Sequence, residues 1–422
     1  MVDTIIDRNL EPVISQRLTT VPVVIVTGAR TVGKSTILAA CARAHGSQVL
    51  DLDDMPTRRA VASDPSLYAQ GPGEPVCIDE FQHVPAFLDA IKAELNTGPR
   101  PGRFLLTGST RYDLLPRASQ SLTGRAHIVT MWPFSQGELR GTRENFIDTL
   151  LNDAAALVTA TPSSTSRASY EQMIVAGGFP IALSQPSRAD RNRWFKDFIT
   201  MIVQRDVMEI RRIRQRAAMP ELLRHLASQS ASVLNVAAIA EKMSIDARTL
   251  GDFVTLLEAV FLVHRLPAFG RTLSSRVNRS PKIHMTDTGL ACYLLDLSEH
   301  RLAQRNPHVL TEFGHVVETF AVNELIKQAG WSGSAAEFSH LRTREQQEVD
   351  LVVEGDDGRI AGVEIKAGST VTDEDFRGLR LLREQAGSDF AGGVLLNLGT
   401  RAYTFEDRLH IVPMDRLWAR TP

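Results

Sequence analysis

The stretch Gly28-Ala-Arg-Thr-Val-Gly-Lys-Ser35 matches G-x-x-x-x-G-K-[ST] at every fixed position and constrains the fold of this chain more than any other. Such a loop works only at a turn from a buried strand into a helix. Both flanks comply: Val21-Pro-Val-Val-Ile-Val26 is an apolar β-branched run, and Thr36-Ile-Leu-Ala-Ala-Cys-Ala-Arg43 reads as helix. The glycines let the backbone bend until successive N–H groups point at the β- and γ-phosphates of a nucleoside triphosphate, where the helix N-terminus adds partial positive charge. Lys34 would neutralise those phosphates and the Ser35 hydroxyl would ligate Mg²⁺. The expected nucleotide contacts are therefore Gly28, Ala29, Arg30, Thr31, Val32, Gly33, Lys34, Ser35 and Thr36.

Downstream, Pro75-Val-Cys-Ile-Asp79-Glu80 is a short apolar strand ending in two carboxylates, the pattern of a Walker B. Asp79 at the strand's end would hold Mg²⁺, and Glu80 would orient and polarise the attacking water. A lone Asp-Glu pair also marks solvated turns; the apolar run and its position after the loop favour the functional reading. A third buried-strand pattern, Arg103-Phe-Leu-Leu-Thr107-Gly-Ser109, ends in hydroxyls that either sense the γ-phosphate or bond nearby backbone. Arg125, beyond the core sheet, is a candidate for reaching the γ-phosphate of its own or a neighbouring subunit, or is a surface arginine.

At 422 residues the chain should hold roughly two to four domains. Its formal net charge of -2 gives no global attraction to nucleic acid, so DNA binding has to come from local patches. Cys41, Cys77 and Cys292 sit in apolar segments without C-x-x-C spacing and read as buried thiols. No apolar run approaches the ~20 residues that span a bilayer, and the acidic N-terminus lacks a signal-peptide layout, so a cytoplasmic location without membrane contact is expected.

Strand-helix alternation over 20–135 predicts a parallel sheet covered on both faces, hence an ATPase core at 1–135. Helical patterns dominate 136–230, ending in the cluster Arg205, Arg211, Arg212, Arg214 and Arg216, either a solvated helix face or a nucleic-acid contact. Within 231–290, Ala237–Met243 reads as a helix, Ser244-Ile245 as a turn, and Asp246 as the N-cap of a second helix reaching Ala259. An apolar strand pair follows, which makes a winged-helix pattern. Asp252 and Glu258 suit major-groove reading poorly, whereas Arg265, Arg271, Arg276, Arg279 and Lys282 favour packing or contact with a nucleic-acid backbone.

The last segment, 291–422, holds a second constellation. If Asp356-Asp-Gly358 is a three-residue hairpin loop, Asp350 falls opposite Glu364, and Glu364 shares its strand face with Lys366. Two carboxylates and a lysine then converge in an apolar hairpin, either as a nuclease-like site or as a salt-bridge ladder. In the first case Asp350 and Glu364 would bind Mg²⁺, Lys366 would stabilise developing charge, and Glu318, on an upstream amphipathic helix, would supply a third acid.

Nearly the full length resembles a widespread family of bacterial and archaeal AAA-type ATPases. The resemblance rests on the Gly28–Ser35 loop, Cys77-Ile-Asp79-Glu80, Leu106-Thr-Gly-Ser109, Leu122-Thr-Gly-Arg125, Gly177-Gly-Phe-Pro180, Arg205-Asp206, Asp287-Thr-Gly-Leu290, and Glu348/Asp350 with Glu364/Lys366. It implies an α/β chain with three parts: a P-loop ATPase core, a helical and winged-helix middle, and a C-terminal restriction-endonuclease-like domain in which Asp350, Glu364 and Lys366 match the PD-(D/E)xK-like motif. Thr31 stands where the family commonly has Gln, at a variable position of the loop. The expected function is ATP- and Mg²⁺-dependent action on DNA with a nuclease-like module. Alternatives are a DNA-remodelling motor without cleavage, or a slow nucleotide switch with a protein partner. An arginine supplied between subunits would imply a homo-oligomer.

Overall fold

The structure is a computed structural model that describes residues 6–111, 122–210, 216–270 and 280–420. The chain divides into two compact units, 1–134 with 256–261, and 135–255 with 262–422. The segments expected at 136–230, 231–290 and 291–422 thus lie in the second unit, apart from the stretch 256–261. Arg211, Arg212, Arg214, Arg271, Arg276 and Arg279 lie outside the described residues, as does the side chain of Arg216.

The first unit is built on β1 (Val23–Thr27), β2 (Val49–Asp51), β3 (Val76–Asp79), β4 (Phe104–Gly108) and β5 (Ala126–Thr130). All pair in parallel, in the order β2-β3-β4-β1-β5. β1, β3 and β4 are buried along their whole length, which is why they read as unbroken apolar runs instead of alternating ones. Phe81, Phe87, Leu88 and Ile91 close one face of the sheet over Val23, Ile25, Ile78 and Leu106. Because β4 lies between β1 and β3, its end delivers Ser109 between the Gly28–Ser35 loop and the Asp79-Glu80 pair. Parallel sheets place ligands at their strands' C-terminal ends, where these three segments meet.

In the second unit, helices Phe146–Asp153, Arg167–Ala176, Arg188–Met201 and Met219–Ser228 precede a helix pair, Val236–Met243 and Ala247–Ala259, the latter belonging to this unit up to Thr255. The expected turn is present: Ser244 takes a left-handed conformation, and the Asp246 carboxylate accepts the Thr249 N–H at 3.0 Å. β6 (Ser232–Val233), β7 (Val263–Leu266) and β8 (Lys282–Met285) then form an antiparallel sheet in the order β6-β8-β7.

The long helix Pro307–Ala329 leads into a six-stranded sheet of β9 (Glu337–Arg342), β10 (Glu348–Glu354), β11 (Ile360–Lys366), β12 (Phe390–Asn397), β13 (Tyr403–Glu406) and β14 (Leu409–Pro413). Its order is β13-β14-β12-β11-β10-β9, with β11, β12 and β14 parallel and the rest antiparallel. Gly358, at φ 84°, and the Gly355 N–H to Arg359 carbonyl bond of 2.8 Å close the β10-β11 hairpin. The register pairs Leu351 with Val363, so Asp350 and Glu364 fall across from each other at the next step. Helix Arg377–Ala386 packs on these strands through Leu379 and Leu382, close over Gly362. Among the described residues no helix is long and apolar enough to cross a membrane.

Candidate functional site

The Gly28–Ser35 loop leaves β1 and wraps onto the start of helix Lys34–Ala44, with Gly28 at φ 157°, Thr31 at 64° and Gly33 at 102°. At Gly28 the constraint is also steric, since a Cβ there would lie 2.1 Å from the Met131 carbonyl oxygen. The buried Lys34 ammonium folds back on the loop and donates to the Gly28 and Ala29 carbonyls at 3.0 and 2.9 Å. It is a cation held at the mouth of a backbone cradle, with weak carbonyl partners that phosphate oxygens would replace.

Across from it, the buried Asp79 carboxylate accepts hydrogen bonds from the Ser35 and Thr107 hydroxyls. Burial raises the Asp79 carboxyl above its ordinary value, against the pull of those two hydroxyls. Glu80 adopts a left-handed backbone, φ 52°, that turns its side chain under the end of β4. There it accepts from Ser109 Oγ at 2.7 Å and from the Gln82 amide, which also reaches Ser109 Oγ at 3.1 Å. Burial works to raise the Glu80 carboxyl; Lys34, Arg30, Ser109 and Gln82 outweigh it and hold it below the ordinary glutamate value. Glu80 is therefore an ionised acceptor with a fixed aim.

The hydroxyl of Ser35 and the carboxylate of Asp79 are hard oxygen donors already in contact, a set that fits Mg²⁺, and the Lys34 cradle fits a triphosphate. The structure thus brings Lys34, Ser35, Asp79, Glu80 and Ser109 to one place. Ser35 and Thr36 are exposed at the helix start, and the Thr107 hydroxyl is spent on Asp79. Arg125 is not brought there. It precedes Ala126, which pairs with Val23 at the start of β1, whereas the loop leaves the far end of β1 at Thr27, roughly 15 Å along the strand. Its guanidinium donates to the Lys92 carbonyl at 3.3 Å, so within its own unit it is no γ-phosphate contact.

Sequence reasoning missed two residues here. Gln82 carries no motif signal, yet it is the amide that pins Glu80 to Ser109. Arg8 is buried, donates to the Trp132 and Val32 carbonyls at 2.6 and 3.4 Å, and lies over the Phe134 ring at 4.5 Å. It braces the loop from a segment the motifs ignore. Glu258, one of the two acids that made its helix a poor major-groove reader in the sequence, pairs with Arg111 at 3.0 Å.

The second unit assembles its own charged cluster. Lys366 Nζ lies 3.0 Å from Glu364 Oε1, as their shared strand face implies, and 3.5 Å from Asp375. Burial, then the neighbouring Asp350, pushes the Glu364 carboxyl well above its ordinary value. Sequence reasoning missed the centre of the cluster. Lys282, on β8, is 1% exposed, and its ammonium lies 2.6 Å from Glu318, 2.6 Å from Glu348 and 3.0 Å from Asp350. Burial works to lower its pKa, but Asp350, Glu318 and Glu348 together hold it well above that of a free lysine. Lys282 is thus packed against acids and is not a basic contact for a nucleic-acid backbone.

This corrects the metal set expected from Glu318, Asp350 and Glu364. Glu318 and Asp350 turn to Lys282, Glu364 turns to Lys366, and among the described residues no three such side chains converge to hold a metal ion. As arranged, the residues do not fit a metal centre. They border a cavity of about 600 Å³ lined also by His315, Arg342 and Arg377.

Residues 20–140 match the family model described as an AAA domain, in agreement with the loop and sheet of the first unit. Residues 167–301 and 313–417 match two domains of unknown function, DUF8612 and DUF4143. Uncharacterized proteins of Mycobacterium tuberculosis and Mycobacterium bovis are each 27% identical over 349 residues, 83% of this chain and 71% of theirs. Among solved structures, a Walker-type ATPase of Pyrococcus abyssi aligns with TM-score 0.42 and 14% identity over 69% of this chain and 96% of its own. A Thermotoga maritima RuvB Holliday junction branch migration motor aligns with TM-score 0.25 and 14% identity, over 61% and 89%. Both scores are too low to carry an argument. The AAA domain match covers residues 20–140 and agrees with the first unit's loop and sheet, which have the arrangement of a P-loop ATP-binding domain.

Proposed function

We propose that the first unit binds ATP with Mg²⁺ and hydrolyses it, and that the second unit applies that cycle to DNA. The observation that carries the first half is the convergence of Lys34, Ser35, Asp79, Glu80 and Ser109 at the ends of three adjacent parallel strands. Lys34 would exchange its carbonyl partners for phosphate oxygens. Ser35 and Asp79 would hold Mg²⁺, which when bound offsets the negative charge of the phosphates. Glu80, kept ionised by Lys34 and Arg30 and aimed by Ser109 and Gln82, would orient a water and draw off its proton.

The second half rests on the order of elements. We read the helix-turn-helix followed by a small antiparallel sheet as winged-helix-like, and the mixed sheet carrying Asp350, Glu364 and Lys366 as restriction-endonuclease-like. Lys282, seated among the carboxylates, counts against cleavage by this module. Steady-state ATPase assays with and without Mg²⁺, in the presence of single-stranded, duplex and branched DNA, test the proposal. Mg²⁺-dependent turnover raised by at least one DNA form, with retardation of that DNA on gels, is expected. Slow turnover indifferent to all three, with no retardation, would point instead to a nucleotide switch read by a protein partner.

A further inference from the structure

The second unit's carboxylate cluster is already occupied by a side-chain cation. An ammonium has three N–H donors, and Lys282 faces three carboxylates, Glu318, Glu348 and Asp350, at 2.6, 2.6 and 3.0 Å. The group is fixed from behind, since Lys282 is the first residue of β8 and pairs with Leu266 on one side and Val233 on the other. At 1% exposure it has no solvated position to retreat to. The second oxygen of Asp350 is engaged as well, accepting the Ile365 N–H at 3.0 Å.

One acceptor is left over. Glu364 is 7% exposed and borders the cavity; its Oε1 is taken by Lys366, whereas its Oε2 has no hydrogen-bond partner. A buried carboxylate oxygen without a donor is costly. Its presence beside the cluster marks a place where cation-binding capacity exceeds the cations the protein supplies.

We propose that Lys282 is a tethered stand-in for a divalent cation: while its ammonium is seated, Glu318, Glu348 and Asp350 are closed to Mg²⁺ and Mn²⁺, and its removal opens a divalent site completed by Glu364. A hard divalent ion needs several oxygens at short range, and these are the oxygens Lys282 holds. The inference stands on the second unit alone, whatever the outcome for ATP or DNA.

Mn²⁺ binding to the full chain, followed by electron paramagnetic resonance without nucleotide, is the test, with any P-loop contribution removed by comparing variants. Wild type and Asp350→Asn should bind Mn²⁺ alike. Lys282→Met should gain one equivalent held at least about tenfold more tightly than any second-unit Mn²⁺ in wild type, and Lys282→Met with Asp350→Asn should lose it again. A wild-type equivalent that disappears in Asp350→Asn, or a folded Lys282→Met that gains none, overturns the proposal. If Lys282→Met does not fold in chelator, Mn²⁺ or Ca²⁺ should restore its circular dichroism and thermal transition where Na⁺ at equal ionic strength does not. Failure of that rescue counts equally against the stand-in role.

Discussion

Single side chains divide the work at the nucleotide site, and each division can be measured. Glu80→Gln keeps the hydrogen bonds to Ser109 and Gln82 possible but removes the proton acceptor, so turnover should fall about 100-fold or more while ATP still binds, as filter binding or calorimetry would show. A Glu80→Gln protein as fast as wild type would remove Glu80 from catalysis. Glu144 tests the electrostatics of the second unit. Burial pushes its carboxyl up to about 7, against a hydrogen bond from Ser135 and with Glu324 adding to the rise. Between the ordinary glutamate value and about 7, the folded protein keeps a proton that the unfolded chain has lost, so stability falls as pH rises through that window. The full effect is at most ~3 kcal/mol at 1.36 kcal/mol per unit. Glu144→Gln should flatten that slope and melt higher than wild type at pH 8; a variant that keeps the wild-type slope between pH 5 and pH 8 would contradict the assignment.

At the scale of elements, what was legible in the sequence is what a contiguous run can encode. The Gly28–Ser35 loop, its strand and its helix are adjacent in the chain, and the β10-β11 register follows from the glycine of a tight turn, so Asp350 met Glu364 as the spacing implied. Lys282 was illegible because its partners come from the helix carrying Glu318 and the strand carrying Glu348 and Asp350, dozens of residues away. Arg125 falls short of the loop of its own unit for a related reason: in a parallel sheet the chain returns to the far edge before each new strand, so a residue just before β5 starts at the opposite end. Packing of helix Arg377–Ala386 on β11 is a second test at this scale. A Cβ on Gly362 would lie 2.6 Å from Leu379 Cδ2 and 2.8 Å from Leu382 Cδ2, so Gly362→Val should lose about 1–3 kcal/mol in chemical denaturation through overpacking. No loss of stability would mean that the helix does not seat as closely as described.

For the whole molecule, charge says little and placement says more. A net charge of -2 over 422 residues gives no general pull toward nucleic acid, so any DNA response has to arise from local patches, which we propose to lie on the second unit, with the proposed ATP chemistry on the first. The central claim is the ATPase assignment, and the most direct measurement is the steady-state ATP hydrolysis rate of wild type beside Lys34→Ala at saturating Mg²⁺. With the buried ammonium gone from the phosphate cradle, the rate should fall by about 100-fold or more. Equal rates in the two proteins would contradict the account.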